Sequence, residues 1–143
     1  MVDNQDVNKQ IKHLEFIQSV VTRMNANSFQ LKGWAITIFA ALLAIYAGSG
    51  ENKMFLAVAI IPSLLFWFLD AYYLQQERKF RGIYNDVAGL TNGENKKEVR
   101  LFEMPLQHYR QGKYCYWRVF FSITILPLYA LMIVLVVLGI VCL

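Results

Sequence analysis

Residues that could carry out catalysis are few in this chain and far apart. His13 and His108 lie in different polar segments, and neither has a serine or cysteine motif beside it. The sequence contains no HExxH pair, no glycine-rich phosphate loop and no pair of acids at helical spacing, so a nucleophile, a base and a charge stabiliser cannot be assembled. The sequence therefore favours a protein that is not an enzyme, and it indicates no cofactor and no metal site.

Basic residues between positions 75 and 117 are the stronger chemical signal. They alternate with tyrosines, as on surfaces that contact phosphates and stack on bases. This pattern favours an anionic ligand such as a nucleotide or a short single-stranded nucleic acid. The positive-inside rule alone would also explain most of these charges, and anionic lipids would attract them. The candidate ligand-binding residues are Arg78, Arg81, Lys96, Lys97, Arg100, Arg110 and Lys113.

Asp70 is the one acid inside the apolar stretch 54–74. A charge near the middle of a bilayer costs roughly 3 kcal/mol, so this carboxylate should face other helices or a water-filled path. One interpretation is a structural ion pair with Lys32 or Arg118, which lie at a similar depth. The other is a ring of carboxylates from several subunits at the mouth of a cation-selective pore.

The composition indicates which elements hold these residues. Of the 143 residues 57% are hydrophobic and 17% charged, and the mean hydropathy is +0.36, whereas a small soluble protein needs more surface charge. A helix needs about 20 apolar residues to cross a bilayer core. The predicted segments are an N-terminal amphipathic helix at 1–32, transmembrane helices at 33–47, 54–74 and 118–143, a loop at 48–53 and a basic helical segment at 75–117.

The distribution of positive charge predicts the orientation. Of the 14 Lys and Arg residues only Lys53 lies in the loop 48–53, and the others precede the first span or separate the second from the third. Positive segments stay cytoplasmic, so the N-terminus and 75–117 are expected inside, and the loop and C-terminus outside. Trp34, Trp67 and Trp117 fall at the inner ends of the spans, where indole favours the interface.

Two amphipathic helical stems are expected on the cytoplasmic side. A single helix should run from about residue 7 to 46, with an apolar seam over residues 14–24. The second span should continue as a helix through about residue 90, with Glu77 paired to Arg81. A further short helix is expected at 97–103. The apolar stripes of the stems can pack on each other or on other copies.

Small residues in the first span, and polar ones in the third, suggest where copies meet or ions pass. The small residues of the first span, Thr37, Ala41, Ala44 and Gly48, are spaced four, three and four residues apart. Such a stripe lets helices approach closely, although it could also line a pore. Three helices cannot enclose an aqueous route, so a pore would form on the symmetry axis of an oligomer. The candidate pore or gate residues are Thr37, Ala41, Ala44, Asp70, Ser122 and Thr124.

Three pieces of the chain carry a resemblance to known proteins: FQLKGWAIT (29–37), FWFLDAYYLQQERKFRGIY (66–84) and WRVFFSITILPLY (117–129). They resemble small multi-span proteins of bacterial antiphage loci, and among these the membrane effectors of the Hailong defence system. The resemblance implies a homotetrameric ion channel of the inner membrane whose opening depolarises the infected cell. It also implies control by DNA oligomers that a partner nucleotidyltransferase makes. It supplies no residue-level ligand motif.

These observations combine into one expectation and one alternative. We expect an all-α membrane protein with three transmembrane helices and amphipathic cytoplasmic stems, assembled as a homo-oligomeric bundle for which a tetramer is favoured. Its expected function is that of an antiphage ion channel gated at its basic cytoplasmic face by a nucleotide or DNA oligomer. The alternative is a non-conducting membrane anchor or adaptor that recruits a cytosolic partner.

Overall fold

Helices make up nearly all of the regular structure. A computed structural model describes residues 4–50, 52–91, 93 and 96–142, and in these residues it contains four α-helices and no β-strand. The outermost residues of the predicted segments 1–32 and 118–143 lie outside this description. The α-helices are α1 (Asn4–Gly48), α2 (Lys53–Val87), α3 (Tyr116–Phe120) and α4 (Leu126–Cys142). The all-helical prediction is confirmed at this level.

The α1 helix runs without interruption for 45 residues, or about 68 Å. It contains no proline, and a chain reversal follows it at Gly50, whose φ of 70° favours glycine. The Asn52 side chain then accepts a hydrogen bond from the Met54 amide at 3.0 Å and caps the start of α2. The α2 helix passes through Pro62 without a break and ends at Val87. The predicted continuation of the first two spans into helical stems is therefore confirmed.

The third predicted span is not one helix. Residues 121–125 separate α3 from α4, because Pro127 has no amide hydrogen to donate and its ring crowds the preceding turn. The Trp67 indole donates to the Phe120 carbonyl at 3.1 Å, and the Ser122 carbonyl accepts from two following amides. Trp67 is buried at the break, while Trp34 and Trp117 are exposed. Two helices, α1 and α2, are long and apolar enough to cross a membrane, and α4 is shorter.

The segment after α2 is mostly irregular, which corrects the prediction of a helical segment at 75–117. The helical parts among the described residues 88–91, 93 and 96–115 are the short 3-10 turns Leu106–His108 and Gly112–Tyr114 and the 3-10 residue Gly93. The helix expected at 97–103 is absent, since Val99 and Met104 instead pack on the stems. Tertiary packing thus overrides local helix propensity here.

The helices form two packed regions. In the apolar half, made of α1 from residue 33, α2 up to residue 74, and α4, the α2 helix packs against both α1 and α4. In the polar half, made of the stems 4–32 and 75–87 and the segment 88–115, a smaller cluster surrounds Ile17, Ile83 and Tyr109. The end of α4 meets the start of α2, where Lys53 Nζ donates to the Ile140 carbonyl at 3.0 Å.

Candidate functional site

The polar half of α2 carries one face on which cations and an amide are aligned. Arg78, Arg81 and Asn85 follow each other three and four residues apart, so they share one side of the helix. The segment 109–114 returns along this side. It is fixed by Gln75 Nε2, which donates to the Tyr114 carbonyl at 2.9 Å, and by the Tyr109 hydroxyl, which donates to Asp86 at 2.5 Å.

Gly82 allows this segment to lie directly against α2. A Cβ atom at Gly82 would lie 2.5 Å from the Tyr114 hydroxyl oxygen and 2.9 Å from a ring carbon of Tyr109. The two rings meet edge to face with centroids 5.3 Å apart. Only glycine leaves room for both rings at this position.

We expect Gly82→Ala to displace the two tyrosines and to lower the free energy of unfolding by about 1 to 3 kcal/mol, the usual cost of overpacking. Thermal unfolding of the detergent-purified protein measures the loss. Gly33→Ala is the matched control, since a Cβ there meets nothing within 4 Å. Equal losses in both variants would contradict the close packing at Gly82.

Two adjoining cavities follow this face of α2, and we call them together the basic groove. The larger, of about 390 Å³, and the smaller, of about 240 Å³, share three lining residues and are therefore continuous. The lining residues of the groove are Arg78, Arg81, Gly82, Asn85, Asp86, Thr91, Lys97, Tyr109, Lys113 and Tyr114.

Positive charge dominates the groove. Arg81 is paired with Glu77, whereas Arg78 and Lys113 have no ion pair within the part of the chain that is described. The Lys113 ammonium lies 5.2 Å from the centroid of the Tyr114 ring. These unpaired cations beside an aromatic ring suit an anionic group attached to a flat ring.

Burial and a hydrogen bond fix Tyr109 as a donor in the groove. Burial, and then the hydrogen bond to Asp86, raise the pKa of Tyr109, so its hydroxyl stays protonated and remains a donor. The Lys97 ammonium lies 4.1 Å from the centroid of the Tyr109 ring and donates to the His108 carbonyl. Burial lowers the pKa of Lys79 near the groove, and the charge of Arg110 lowers it further.

The predicted ligand-binding residues divide into three groups. Arg78, Arg81, Lys97 and Lys113 are brought together in the basic groove. Lys96 lines a neighbouring cavity instead. The side chains of Arg100 and Arg110 are exposed and line neither part of the groove. The sequence reasoning missed Gly82 and Asp86, and the isolated glycine inside an amphipathic helix was the signal that could have indicated a close approach.

Asp70 forms the centre of a second polar site, which we call the buried polar cluster and which joins α1, α2 and α4. Its Oδ2 atom lies 2.7 Å from Lys32 Nζ and 3.3 Å from the Tyr129 hydroxyl, while Oδ1 accepts from Ser28. The carboxylate is 0% exposed. The pairing expected with Lys32 is thus present, and Arg118 is exposed elsewhere. Because both oxygens are engaged, a free carboxylate ring would require this cluster to open.

The other predicted pore residues are not brought into one site. Thr37, Ala41 and Ala44 are exposed on α1. Ser122 is half-buried at the break before α4, where its hydroxyl has no partner among the described residues, and Thr124 beside it is exposed. Within a single chain one set lies on α1 and the other in the break between α3 and α4, and they line no common cavity among those found in the described residues.

The basic groove and the buried polar cluster therefore lie on one continuous helix, α2. Comparison of the chain with protein-family models, with curated proteins and with solved structures gives no match. The groove offers cations, an amide and aromatic rings, and the cluster offers a neutralised ion pair between packed helices.

Proposed function

We propose that this chain is a three-span membrane protein that assembles into a homo-oligomeric ion channel, controlled by a nucleotide or DNA oligomer in the basic groove. The exposed apolar surface of the helices carries the membrane part of this proposal. Only 22% of the apolar window of α1 and 33% of that of α2 are buried. A core helix of a soluble protein would be mostly buried, so these side chains need lipid or other copies around them.

The three apolar helical stretches have similar lengths, which favours their crossing the membrane side by side as three spans. The 17 residues of α4 extend about 25 Å, and the stretch of α2 from Lys53 to Asp70 extends about 26 Å. Residues 33–48 of α1 extend about 24 Å. A hydrophobic belt of this thickness fits a bilayer that thins slightly from about 30 Å. The Lys32–Asp70 pair would then lie near the cytoplasmic boundary, where its burial costs less.

The position of the basic groove favours a soluble ligand over a lipid headgroup. Arg78 follows Asp70 by about 12 Å along α2, and Arg81 and Asn85, which also line the groove, lie further along the helix. The headgroup layer extends only about 5 to 8 Å beyond the hydrocarbon core. The groove would therefore open into the cytosol, where a nucleotide can enter it.

The outer face of α1 supports assembly with other copies. The small residues Thr37, Ala41, Ala44 and Gly48 lie about 150° around the helix from the buried residues that face α2. This stripe cannot pack within its own chain. Close packing between copies would use it, and a pore on the symmetry axis could be lined from there or from Ser122 and Thr124.

The continuous α2 helix supplies a route from ligand to pore. It carries groove residues at one end and contacts both α1 and α4 in the apolar half. A ligand that binds more tightly to one arrangement of the stems would shift the population of open and closed channels. The antiphage role, in which channel opening depolarises the infected cell, rests on the resemblance of the spans and the second stem to small multi-span proteins of bacterial antiphage loci.

Ion flux through the purified protein in liposomes tests the channel proposal. We expect flux in the absence of any partner, and a change of that flux when a nucleotide or short DNA oligomer is added to the side of the groove. Membrane-potential dyes in cells that produce the protein should report depolarisation. Absence of flux with and without these ligands would contradict the channel.

A second candidate function is that of a membrane adaptor, and exposed apolar side chains in the polar half favour it. Phe16, Leu90 and Phe102 are all more than half exposed there. Such side chains could contact a cytosolic protein. An adaptor would pass no ions in liposomes and would co-purify with its partner.

A further inference from the structure

A further cavity lies between the two stems, and we call it the stem cavity. It has a volume of about 290 Å³. Gln18 and Val21 line it from α1, and Arg81, Tyr84 and Asn85 line it from α2. Tyr84 and Asn85 follow Arg81 by three and four positions, so these residues share one side of the helix. All five side chains are at least partly exposed and can therefore reach an occupant of the cavity.

Two carboxamides supply uncommitted donors and acceptors in the stem cavity. The side chains of Gln18 and Asn85 have no hydrogen-bond partner among the described residues, whereas Gln10 and Gln75 of the same stems each donate to a backbone carbonyl. A carboxamide offers both a donor and an acceptor and carries no charge. Carboxamides are therefore suited to the edge of a nucleobase, which presents the complementary groups.

The rest of the lining suits a neutral flat ring. Tyr84 adds a partly exposed aromatic ring and Val21 an apolar side chain. Every base has a face that can stack on such a ring. The charged residue of the lining, Arg81, is paired with Glu77. The stem cavity thus differs from the basic groove, where unpaired cations suit an anion.

The stem cavity adjoins the basic groove. Arg81 and Asn85 line both the stem cavity and the smaller part of the groove, and Asn85 also lines the larger part. The stem cavity, of about 290 Å³, and the smaller part of the groove, of about 240 Å³, together have the size of small-molecule sites, roughly 300 to 1,000 Å³. One molecule can therefore place an anionic group beside Arg78 and Lys113 and a flat ring between the stems.

We propose that the stem cavity recognises the base of the nucleotide whose phosphate lies in the basic groove; this inference rests on the proposed function. Gln18 and Asn85 hydrogen-bond to the edge of the base, and Tyr84 stacks on its face. Because Gln18 belongs to α1 and Tyr84 to α2, the bound base contacts both stems. Gln18 lines no part of the groove and is a specificity-determining residue.

Binding of nucleoside monophosphates and of ribose 5-phosphate to the full chain in detergent tests base recognition. We expect at least one nucleotide to bind about tenfold or more tightly than ribose 5-phosphate, which has no base to stack or pair. Gln18→Met removes the amide at nearly constant size, and Tyr84→Leu removes the ring. Each should reduce this preference by about threefold or more and leave ribose 5-phosphate binding unchanged. Asn25→Leu is the matched control, since it removes an exposed carboxamide of α1 that lines neither the stem cavity nor the groove.

A photoreactive nucleotide locates the base without any substitution. After illumination, 8-azidoadenosine monophosphate should label residues that line the stem cavity, which mass spectrometry of the peptides identifies. An excess of ribose 5-phosphate should prevent this labelling, because the two compounds share the phosphate site.

The outcomes that overturn the inference differ from those that overturn the proposed function. Equal binding of nucleotides and ribose 5-phosphate would overturn base recognition and leave the groove as an anion site. A preference for nucleotide that survives both Gln18→Met and Tyr84→Leu, or labelling of Tyr109 and Tyr114 alone, would overturn the assignment of the base to the stem cavity. If neither compound binds, the ligand part of the proposed function fails as well.

Discussion

Replacing Lys32 by methionine is expected to lower the free energy of unfolding by about 3 kcal/mol, because Asp70 would remain buried without its counter-ion. The carboxylate is fully enclosed, and two hydroxyl donors, Ser28 and Tyr129, are its only other partners among the described residues. Two neutral donors do not replace an ammonium group 2.7 Å away. Thermal unfolding in detergent should show the loss.

Asp70→Asn should cost less, about 1 kcal/mol, although it breaks the same ion pair. The Lys32 side chain is 22% exposed and can extend its ammonium group towards water. The new amide oxygen also still accepts from Ser28 or Tyr129. The unequal cost of the two substitutions is thus a consequence of unequal burial.

Lys53→Met is the matched control for Lys32→Met. Lys53 also lies on an apolar helix, but it is exposed and donates only to the Ile140 carbonyl among the described residues. Its loss should change stability by less than about 0.5 kcal/mol. Equal effects of the two lysine substitutions, or no recovery when Asp70→Leu is added to Lys32→Met, would contradict the role of the ion pair.

Removing Arg78 and Lys113 together should weaken nucleotide binding by about 100-fold or more. Each charged hydrogen bond contributes about 1.5 to 3 kcal/mol, and 1.4 kcal/mol corresponds to a factor of ten. These cations line the same cavity and have no ion pair within the described chain, so their charge is available to a phosphate. Calorimetric titration of Arg78→Ala with Lys113→Ala against adenosine monophosphate measures the change.

The control for the groove is Arg100→Ala with Arg110→Ala, which removes the same charge outside it. Both side chains are exposed and line neither groove cavity. Nucleotide binding should therefore weaken by less than about threefold, because only long-range electrostatic attraction is lost. A similar loss in both double variants would indicate non-specific attraction to a basic surface. Undiminished binding in the groove variant would exclude the groove as the phosphate site.

Helical periodicity made the two long helices predictable, and the apolar surroundings of Asp70 made Lys32 one of its two candidate partners. The α1 helix contains no proline, and its apolar seam meets that of α2, with Ile17 and Ile83 fully buried. An acid among apolar side chains needs a cation beside it, and Lys32 and Arg118 were the candidates at its depth. The helices depend on spacing along single segments, whereas the choice of Lys32 depends on how α1 packs against α2.

The break before α4 was not predictable from proline content alone. Pro62 lies in the middle of α2, which continues past it, and the neighbouring Ser63 hydroxyl donates to the Ala59 carbonyl at 2.8 Å. Pro127 instead lies in the first turn of α4, directly after the break at residues 121–125. The difference depends on Trp67, which comes from another helix and binds the free Phe120 carbonyl.

The cavity of about 220 Å³ beside His13 and half of the basic groove depend on a segment whose path the sequence did not reveal. A short helix was expected at 97–103, yet residues 96–99 and 101 line this cavity together with His13 of α1. Tyr109 and Tyr114 approach α2 closely at Gly82, and this isolated glycine is the sequence feature that could have indicated the approach. Contacts between segments distant in sequence decide these sites, and local spacing does not contain them.

Labelling of the two native cysteines with a membrane-impermeant maleimide tests the central claim, that the apolar half crosses the membrane with the basic groove in the cytosol. Cys142 is exposed at the end of α4, and Cys115 is partly exposed beside the groove segment. In spheroplasts, Cys115→Ser, which retains Cys142, should be labelled at once, whereas Cys142→Ser should be labelled only after permeabilisation. Labelling of Cys142 only after permeabilisation, or recovery of the chain in the soluble fraction, would contradict the account.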